Sequence, residues 1–388
     1  MSNKKNILIL SPFFYPEPIS TGKFNTDFVK GLINEGHKVT VLCFHPFYPA
    51  WKLKVSKDLL KGVKIIRGGK HLIFTNKTIL RRLILEFSFA SFVLRKLRKH
   101  QKNKDLIIPI FPPSFAFYAI LPFLNRKIRK VGMVHDLQEV HSEGKSGSLN
   151  RVIRFFIHKI EKKCYQNCDK LLFLSNEMKM EAAKTYNLEE QKLEVQYPFI
   201  TIKKNITNDL ESVFDSNKIN IVYSGALGEK QNPAQLFNFF SEASKKIENT
   251  AFYFFSEGET IQKLKRLNKN ENIFFNDLVK KENLEELYSK SYIQIIPQKE
   301  NTSKGSLPSK LPNLLASGCR VLVITDPKSE IEDFFIKNNL DLVVTNWDVE
   351  ILIEELTLLI RKKVDLQHQK EIATKTFTID KMIDKVFR

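Results

Sequence analysis

The order of hydrophobic and polar positions divides the chain into two halves with the same rhythm. In the first half, short β-branched or apolar runs at 6–11, 38–44, 105–110, 130–135 and 170–174 read as strands. Segments with helical periodicity at 22–35, 78–102, 150–166 and 176–186 fall between them. From Tyr197 to Ser216 the pattern lapses into Asn- and Lys-rich sequence, which reads as a linker. It then restarts, with strands expected at 219–224, 251–255, 272–275, 292–296, 320–325 and 341–344. Strands regularly separated by helices imply parallel βαβ units. The expectation is an α/β protein with two Rossmann-like parallel-sheet domains facing across a cleft. The first spans 1–198 and the second 217–369, and a helix over 370–388 returns to the first.

Length agrees with this division, since 388 residues suit two domains of roughly 180–200 residues. With 43% hydrophobic and 27% charged residues, the composition supports packed cores and argues against disorder. The apolar stretch 106–124 contains Pro109, Pro112, Pro113 and Pro122, so it reads as strand, turn and short buried helix rather than a membrane span. The start, Met1 to Asn6, runs straight into a strand with no signal-peptide pattern. Cys43, Cys164, Cys168 and Cys319 are scattered. Cys164 and Cys168 could share a helix face, but no second Cys or His pair accompanies them, so structural thiols in a reducing cytoplasm are expected.

The net charge of +19 changes the picture. Nucleic acid, anionic lipid or an anionic substrate could each balance it. Between Asn76 and Lys104 there are nine Lys or Arg and a single acid, Glu86, interleaved with Ile79, Leu83, Phe87 and Phe92. Such a basic amphipathic segment suits a lipid interface, and it equally suits a packed helix with a solvated basic end. Arg126, Lys127, Arg129 and Lys130 tilt the reading toward a membrane face.

In open parallel sheets, ligands bind beyond the carboxyl ends of the strands. The loop from Ser11 to Lys23 ends in Gly22 at a helix start, either a phosphate seat or simply a turn. No G-x-G-x-x-G occurs there, so a dinucleotide fingerprint is absent. His135 at a strand mouth could hydrogen-bond a sugar hydroxyl, or be a satisfied structural histidine. Gly225, Gly228 and Lys230 after the strand at 219–224 resemble a phosphate cradle, although a plain turn fits as well. The most informative stretch runs from Lys304 to Val321. Gly305 and Ser306 could bring backbone amides to a ligand, and Ser309 looks like an N-cap. Lys310 beside the free N–H groups of a helix starting at Ser309 and Leu311 would then suit a diphosphate. Asn313, one turn in, could reach ribose hydroxyls, and Gly318 ends the helix.

At these residues the sequence resembles a family 4 glycosyltransferase of the GT-B fold. The stretch from Pro308 to Gly318 is similar to the subgroup that includes the fucosyltransferases of colanic-acid-type exopolysaccharide synthesis. The Tyr15-to-Gly22 loop, the His45-to-Trp51 run, the Tyr223-to-Gln231 loop and the short loop at Gly258 follow in family order. Where many members carry two glutamates eight residues apart, the second position holds Asn313 and the first has no counterpart. Ala226 and Gln231 stand where many members use Arg and Lys, which leaves Lys230 and Lys310 to share a diphosphate.

The resemblance implies a retaining glycosyltransferase that moves a sugar from a GDP- or UDP-linked donor to a lipid-linked saccharide acceptor in surface polysaccharide synthesis. It implies His135 in the catalytic cleft, and Gly22, Gly225, Lys230, Gly258, Gly305, Ser306, Ser309, Lys310, Leu311 and Asn313 at the donor. The acceptor would be isoprenoid-linked, and the protein cytoplasmic and peripheral on the inner face of the membrane. No cofactor or metal is expected, consistent with the lack of any Asp-x-Asp in the sequence. A nucleobase pocket is expected near Asn276, Asp277, Leu278 and Val279. A nucleotide-sugar epimerase on the same fold would need paired carboxylates with a His, and Glu17, Asp136 and Glu139 form no obvious pair. A basic nucleic-acid-binding protein is the other alternative, but no recognition motif for one is readable.

Overall fold

The structure is a computed structural model that describes residues 4–17, 19–48, 50–137, 148–202, 207–303, 307–340 and 342–388. The chain forms two compact units, one of Met1–Tyr197 with Ile379–Arg388 and the other of Pro198–Thr378.

The first unit is built on a parallel sheet of β1 (Asn6–Leu10), β2 (Lys38–Phe44), β3 (Val63–Gly68), β4 (Leu106–Phe111), β5 (Arg129–Val134), β6 (Lys170–Phe173) and β7 (Leu193–Val195). Their order is β3-β2-β1-β4-β5-β6-β7. β4 is a continuous apolar run, and β1 and β6 are apolar after their first residue, because both faces of a parallel sheet are covered. β3 was not expected from the pattern. It is an edge strand whose Lys64 is exposed and whose other side chains are only half-buried, so neither alternation nor a continuous run marks it. The helices of this unit are α1 (Ser20–Asn34), α2 (Thr78–His100), α3 (Ser114–Ile120), α4 (Ser148–Gln166) and α5 (Asn176–Tyr186). The proline-rich stretch is β4, a turn and α3, as the sequence indicates.

The second unit carries β8 (Ile219–Ser224), β9 (Thr250–Phe255), β10 (Ile273–Asn276), β11 (Ile293–Pro297), β12 (Arg320–Ile324) and β13 (Val343–Val344), in the order β10-β9-β8-β11-β12-β13. Every strand pair is parallel. Its helices are α6 (Pro233–Lys246), α7 (Glu259–Leu267), α8 (Leu284–Lys290), α9 (Leu311–Ser317), α10 (Glu330–Lys337), α11 (Val349–Arg361) and α12 (Leu366–Thr376). The core gathers Phe239, Phe240, Phe252 and Phe254 around fully buried Ile295 and Leu322.

Two expectations about the chain ends of these units are corrected. The helix expected over 370–388 is two helices: α12 stays with the second unit, and α13 (Ile379–Phe387) belongs to the first. The break falls at Phe377, whose ring is fully buried against Phe334 and whose carbonyl accepts from Ile200 N. α13 approaches α1 so closely that a Cβ on Gly31 would lie 2.3 Å from Ile379. Lys385 Nζ donates to Val195 O at 2.7 Å, and Arg129 donates to Phe387 O at 2.9 Å, which fastens α13 along the sheet. The polar run read as a linker is likewise pinned. The Glu286 carboxylate is fully buried and accepts from the Thr207 hydroxyl, Asp209 N and Leu210 N.

Candidate functional site

A cavity of about 390 Å³ lies in the second unit. It opens where the sheet order reverses, between the carboxyl ends of β8 and β11, the usual ligand position in an open parallel sheet. β8 runs out at Tyr223 and Ser224 and hands the chain to Gly225 and Ala226, which form one wall. The Tyr223 hydroxyl donates to Ala226 O at 2.7 Å, and Gly225 N donates to Phe255 O, so this turn is fixed to the sheet from both sides. Gly225 takes a φ of +129°, and no atom lies within 4 Å of where its Cβ would stand. The backbone conformation, rather than crowding, therefore calls for glycine. Gln231 reaches the cavity and accepts from Gly228 N at 3.0 Å.

Lys310 forms the polar end of the cavity. Its ammonium donates to Ile295 O at 2.9 Å and Ser224 O at 3.4 Å, and lies 4.6 Å from the centre of the Tyr223 ring. Burial brings its pKa down to about 7, with only the Cys319 thiol working in the other direction. A cation held this way has carbonyl dipoles and a ring face but, among the described residues, no carboxylate partner. An incoming anion would supply the missing charge and raise the pKa again. Leu278 and Val279 also line the cavity, together with Leu284, Leu287 and Tyr288 of α8. Nothing in the sequence distinguishes these α8 residues from an ordinary core stripe. Asn276 and Asp277 are not part of the lining.

Several expected donor residues are placed differently. Ser309 does not cap α9. The helix starts at Leu311 with Lys310 at the cap position and no side-chain cap, because Leu311 N already bonds to Pro308 O and Pro312 fits the first turn. Leu311 is fully buried in the core, whereas Ser309 does border the cavity. Asn313 is occupied elsewhere: its Oδ1 accepts from Thr201 N at 2.8 Å and Ile202 N at 3.1 Å, and its Nδ2 donates to the Thr201 hydroxyl. Lys230 is exposed on a 3-10 turn outside the lining, and its carbonyl accepts from Lys299 N. Gly258 caps α7, also outside the lining. Gly22 belongs to the first unit, where a Cβ would come within 2.9 Å of Glu17. Gly305 and Ser306 lie outside the described residues.

His135 follows β5, with its N–H on Phe111 O at 2.9 Å and its ring edge-on to Phe24 at 4.8 Å. Its Nε2 is buried and has no hydrogen-bond partner among the described residues. Burial lowers its pKa to about 4, against a smaller opposing effect of Asp136, so the ring is neutral at physiological pH. Glu17, weighed for proton shuffling, is consumed structurally: its carboxylate accepts from Phe47 N and Tyr48 N and clasps the His45-to-Trp51 run. Glu139 lies outside the described residues. The four cysteines are buried, and the Cys164 thiol donates to Ser114 O.

Two parallel sheets with flanking helices, the second with its cavity at a strand-order reversal, make up the GT-B fold. Comparison with known proteins makes this specific. Residues 21–204 match the model of Glycosyltransferase Family 4. The chain is similar to the colanic acid biosynthesis glycosyl transferase WcaI of Escherichia coli (strain K12), at 23% identity over 84% of each chain. Among solved structures it resembles sucrose-phosphate synthase from Thermosynechococcus elongatus, with a TM-score of 0.71 at 12% identity, over 99% of this chain and 98% of that one. It also resembles Alr3699/HepE of Anabaena in complex with UDP, with a TM-score of 0.67 at 12% identity over 98% of each chain. The protein is a glycosyltransferase enzyme with the GT-B fold, similar to family 4.

Proposed function

We propose that the protein transfers a sugar, with retention of anomeric configuration, from a GDP- or UDP-linked donor to a lipid-linked saccharide during surface polysaccharide synthesis. The observation that carries this reading is the half-buried ammonium of Lys310, which has no carboxylate partner among the described residues, at the end of a 390 Å³ cavity. The nucleoside diphosphate would seat its phosphates at Lys310 and Gly225 and its base against Leu278, Val279 and Tyr288. As the bond from sugar to diphosphate breaks, negative charge grows on the leaving oxygen. The Lys310 cation stabilises it in a water-poor setting, where such an interaction is strongest. On this reading the site uses no metal.

The similarity to WcaI supports the exopolysaccharide role, and the UDP bound to HepE supports a nucleotide-sugar donor. Neutral His135 would hydrogen-bond the transferred sugar or the acceptor rather than act as a cation. The reading places the protein at the inner face of the cytoplasmic membrane, because a lipid-linked acceptor is presented there. Among the described residues no helix is long and apolar enough to cross a membrane.

The test is ligand-induced thermal stabilisation against GDP, UDP, dTDP, ADP, their sugars and NAD. A ligand at a hundred times its dissociation constant stabilises the folded state by about 2.7 kcal/mol. GDP or UDP should stabilise the wild type and leave Lys310→Ala unmoved. Stabilisation by none of them would overturn the reading.

A further inference from the structure

α2, α3 and α4 each lead from one strand toward the same edge of the first sheet, so right-handed crossovers put them on one face. α1 runs the other way, from β1 to β2, and packs with α13 on the opposite face. α2 packs on α3, and α3 on α4, so their outward sides make one continuous layer.

That outward side is unusually apolar. α2 buries Leu85, Phe89, Phe92, Val93 and Leu97 against the sheet, yet it also exposes Ile79, Leu83 and Phe87 at a spacing of four residues. Phe87 is 56% exposed while its ring meets Phe115 at 4.6 Å, and Phe115 stacks on exposed Tyr118 of α3. On α4, Phe155 and Phe156 are 54% and 58% exposed, with the Lys159 ammonium 4.3 Å from the Phe155 ring. A helix apolar on both sides normally has a partner on both. Here the second side has none among the described residues.

The charge around this surface identifies what covers it. From residue 78 to 130 there are twelve Lys or Arg and only two acids, Glu86 and Asp105. Both acids serve the fold: buried Glu86 accepts from Phe115 N, and Asp105 accepts from Asn6 N. The cations cluster at one end of the apolar stripe, with Arg95, Lys96, Arg98 and Lys99 exposed at the end of α2. Arg126 and Lys127 join them, because Gln101 bonds to Phe123 O and Asn125 N and ties the two segments together. An apolar stripe bordered by cations, with Asp105 the one exposed carboxylate among the described residues of 78–130 and already engaged by Asn6 N, matches a layer of phosphates over hydrocarbon.

We propose that the outer side of the α2–α3–α4 layer docks on an anionic lipid bilayer, with the apolar stripe in the acyl boundary and the basic cluster on headgroup phosphates. This deepens the membrane placement proposed above, and it stands apart from whether the second unit's cavity takes a nucleotide.

The full chain should co-sediment with phosphatidylcholine vesicles that contain phosphatidylglycerol, weakly with pure phosphatidylcholine, and less as salt rises. Leu83→Ser with Phe87→Ser and Phe156→Ser should weaken vesicle binding by about tenfold or more, since each removes insertable apolar area. Arg95→Glu with Arg98→Glu should do so without touching the stripe. Melting temperature and nucleotide stabilisation should stay unchanged in both variants, because every altered side chain is exposed. The proposal fails if the wild type ignores anionic vesicles at low salt, or if both variants bind like wild type. It fails too if the apolar substitutions abolish a concentration-dependent dimer or binding to plain RNA and leave vesicle binding intact. Loss of nucleotide stabilisation in the wild type would count against the donor site alone.

Discussion

The ammonium of Lys310 lies 2.9 Å from the carbonyl oxygen of Ile295 and within 3.4 Å of that of Ser224, so it bridges the two strands between which the cavity opens. Burial lowers its pKa from 10.5 to about 7. The unfolded chain keeps this proton up to its ordinary pKa, while the folded chain releases it near neutrality. Between those values the unfolded state binds more protons, so stability of the unliganded protein should rise with pH from about 7 to 10.5. Lys310→Met should remove that slope in urea titrations. Binding a diphosphate requires the charged form. Nucleotide affinity should therefore fall above neutral pH, by at most about tenfold per pH unit. Calorimetry in buffers of different ionisation heat should show proton uptake on binding. No uptake, with the same pH profile in Lys310→Met, would remove Lys310 from the donor site.

Asn313 occupies the place where many family members have an acid, yet its side chain holds Thr201 N and Ile202 N. Asn313→Ala would leave these donors without an acceptor, at a cost of about 2 kcal/mol or more. Asn313→Asp keeps the acceptor and loses only the bond to the Thr201 hydroxyl, so it should cost about 1 kcal/mol or less. Urea midpoints distinguish the two. An alanine variant as stable as wild type would show that this anchoring contributes nothing.

His135 should affect stability on the acid side. Its folded pKa of about 4 lies below the ordinary 6.5 because the ring is buried. The unfolded state binds the extra proton between those values, so stability falls as pH drops through this window. His135→Gln should flatten that fall, by about 3 kcal/mol over the whole window. It should leave the pH-activity profile between 6 and 8 unchanged in shape, since the ring is already neutral there. An acid limb near neutrality that vanishes in His135→Gln would contradict this.

How much of this could be read from the chain depended on how local the cause was. β1, β2 and β4 are apolar runs bounded by turn residues, so they were legible, whereas half-exposed β3 was not. Lys310, Ser309, Leu278 and Val279 were placed near the donor because they follow strands, and the cavity brings them together. The task of Asn313 was invisible, because its partners lie more than a hundred residues earlier. Leu287 and Tyr288 of α8 carry the pattern of a core stripe, and only the folded sheet turns them toward a cavity. The break between α12 and α13 has no Gly or Pro to announce it and follows from the burial of Phe377.

Two glycines separate backbone strain from a role at the donor. Gly225 has a φ of +129° and Gly258 of +103°, and neither has an atom within 4 Å of a would-be Cβ. Alanine at either position meets no steric clash but must occupy a conformation that side chains resist, at about 1–3 kcal/mol. Both variants should therefore lose similar stability in urea titrations. Only Gly225 lines the cavity, on the turn that Tyr223 and Phe255 fix, whereas Gly258 caps α7 outside it. Relief of strain at Gly225 would shift the wall facing Lys310. Gly225→Ala should consequently raise the dissociation constant for the stabilising nucleotide by about tenfold, and Gly258→Ala should leave it unchanged. Equal losses of affinity in both would mean that the donor extends to the Gly258 loop, beyond the cavity between β8 and β11.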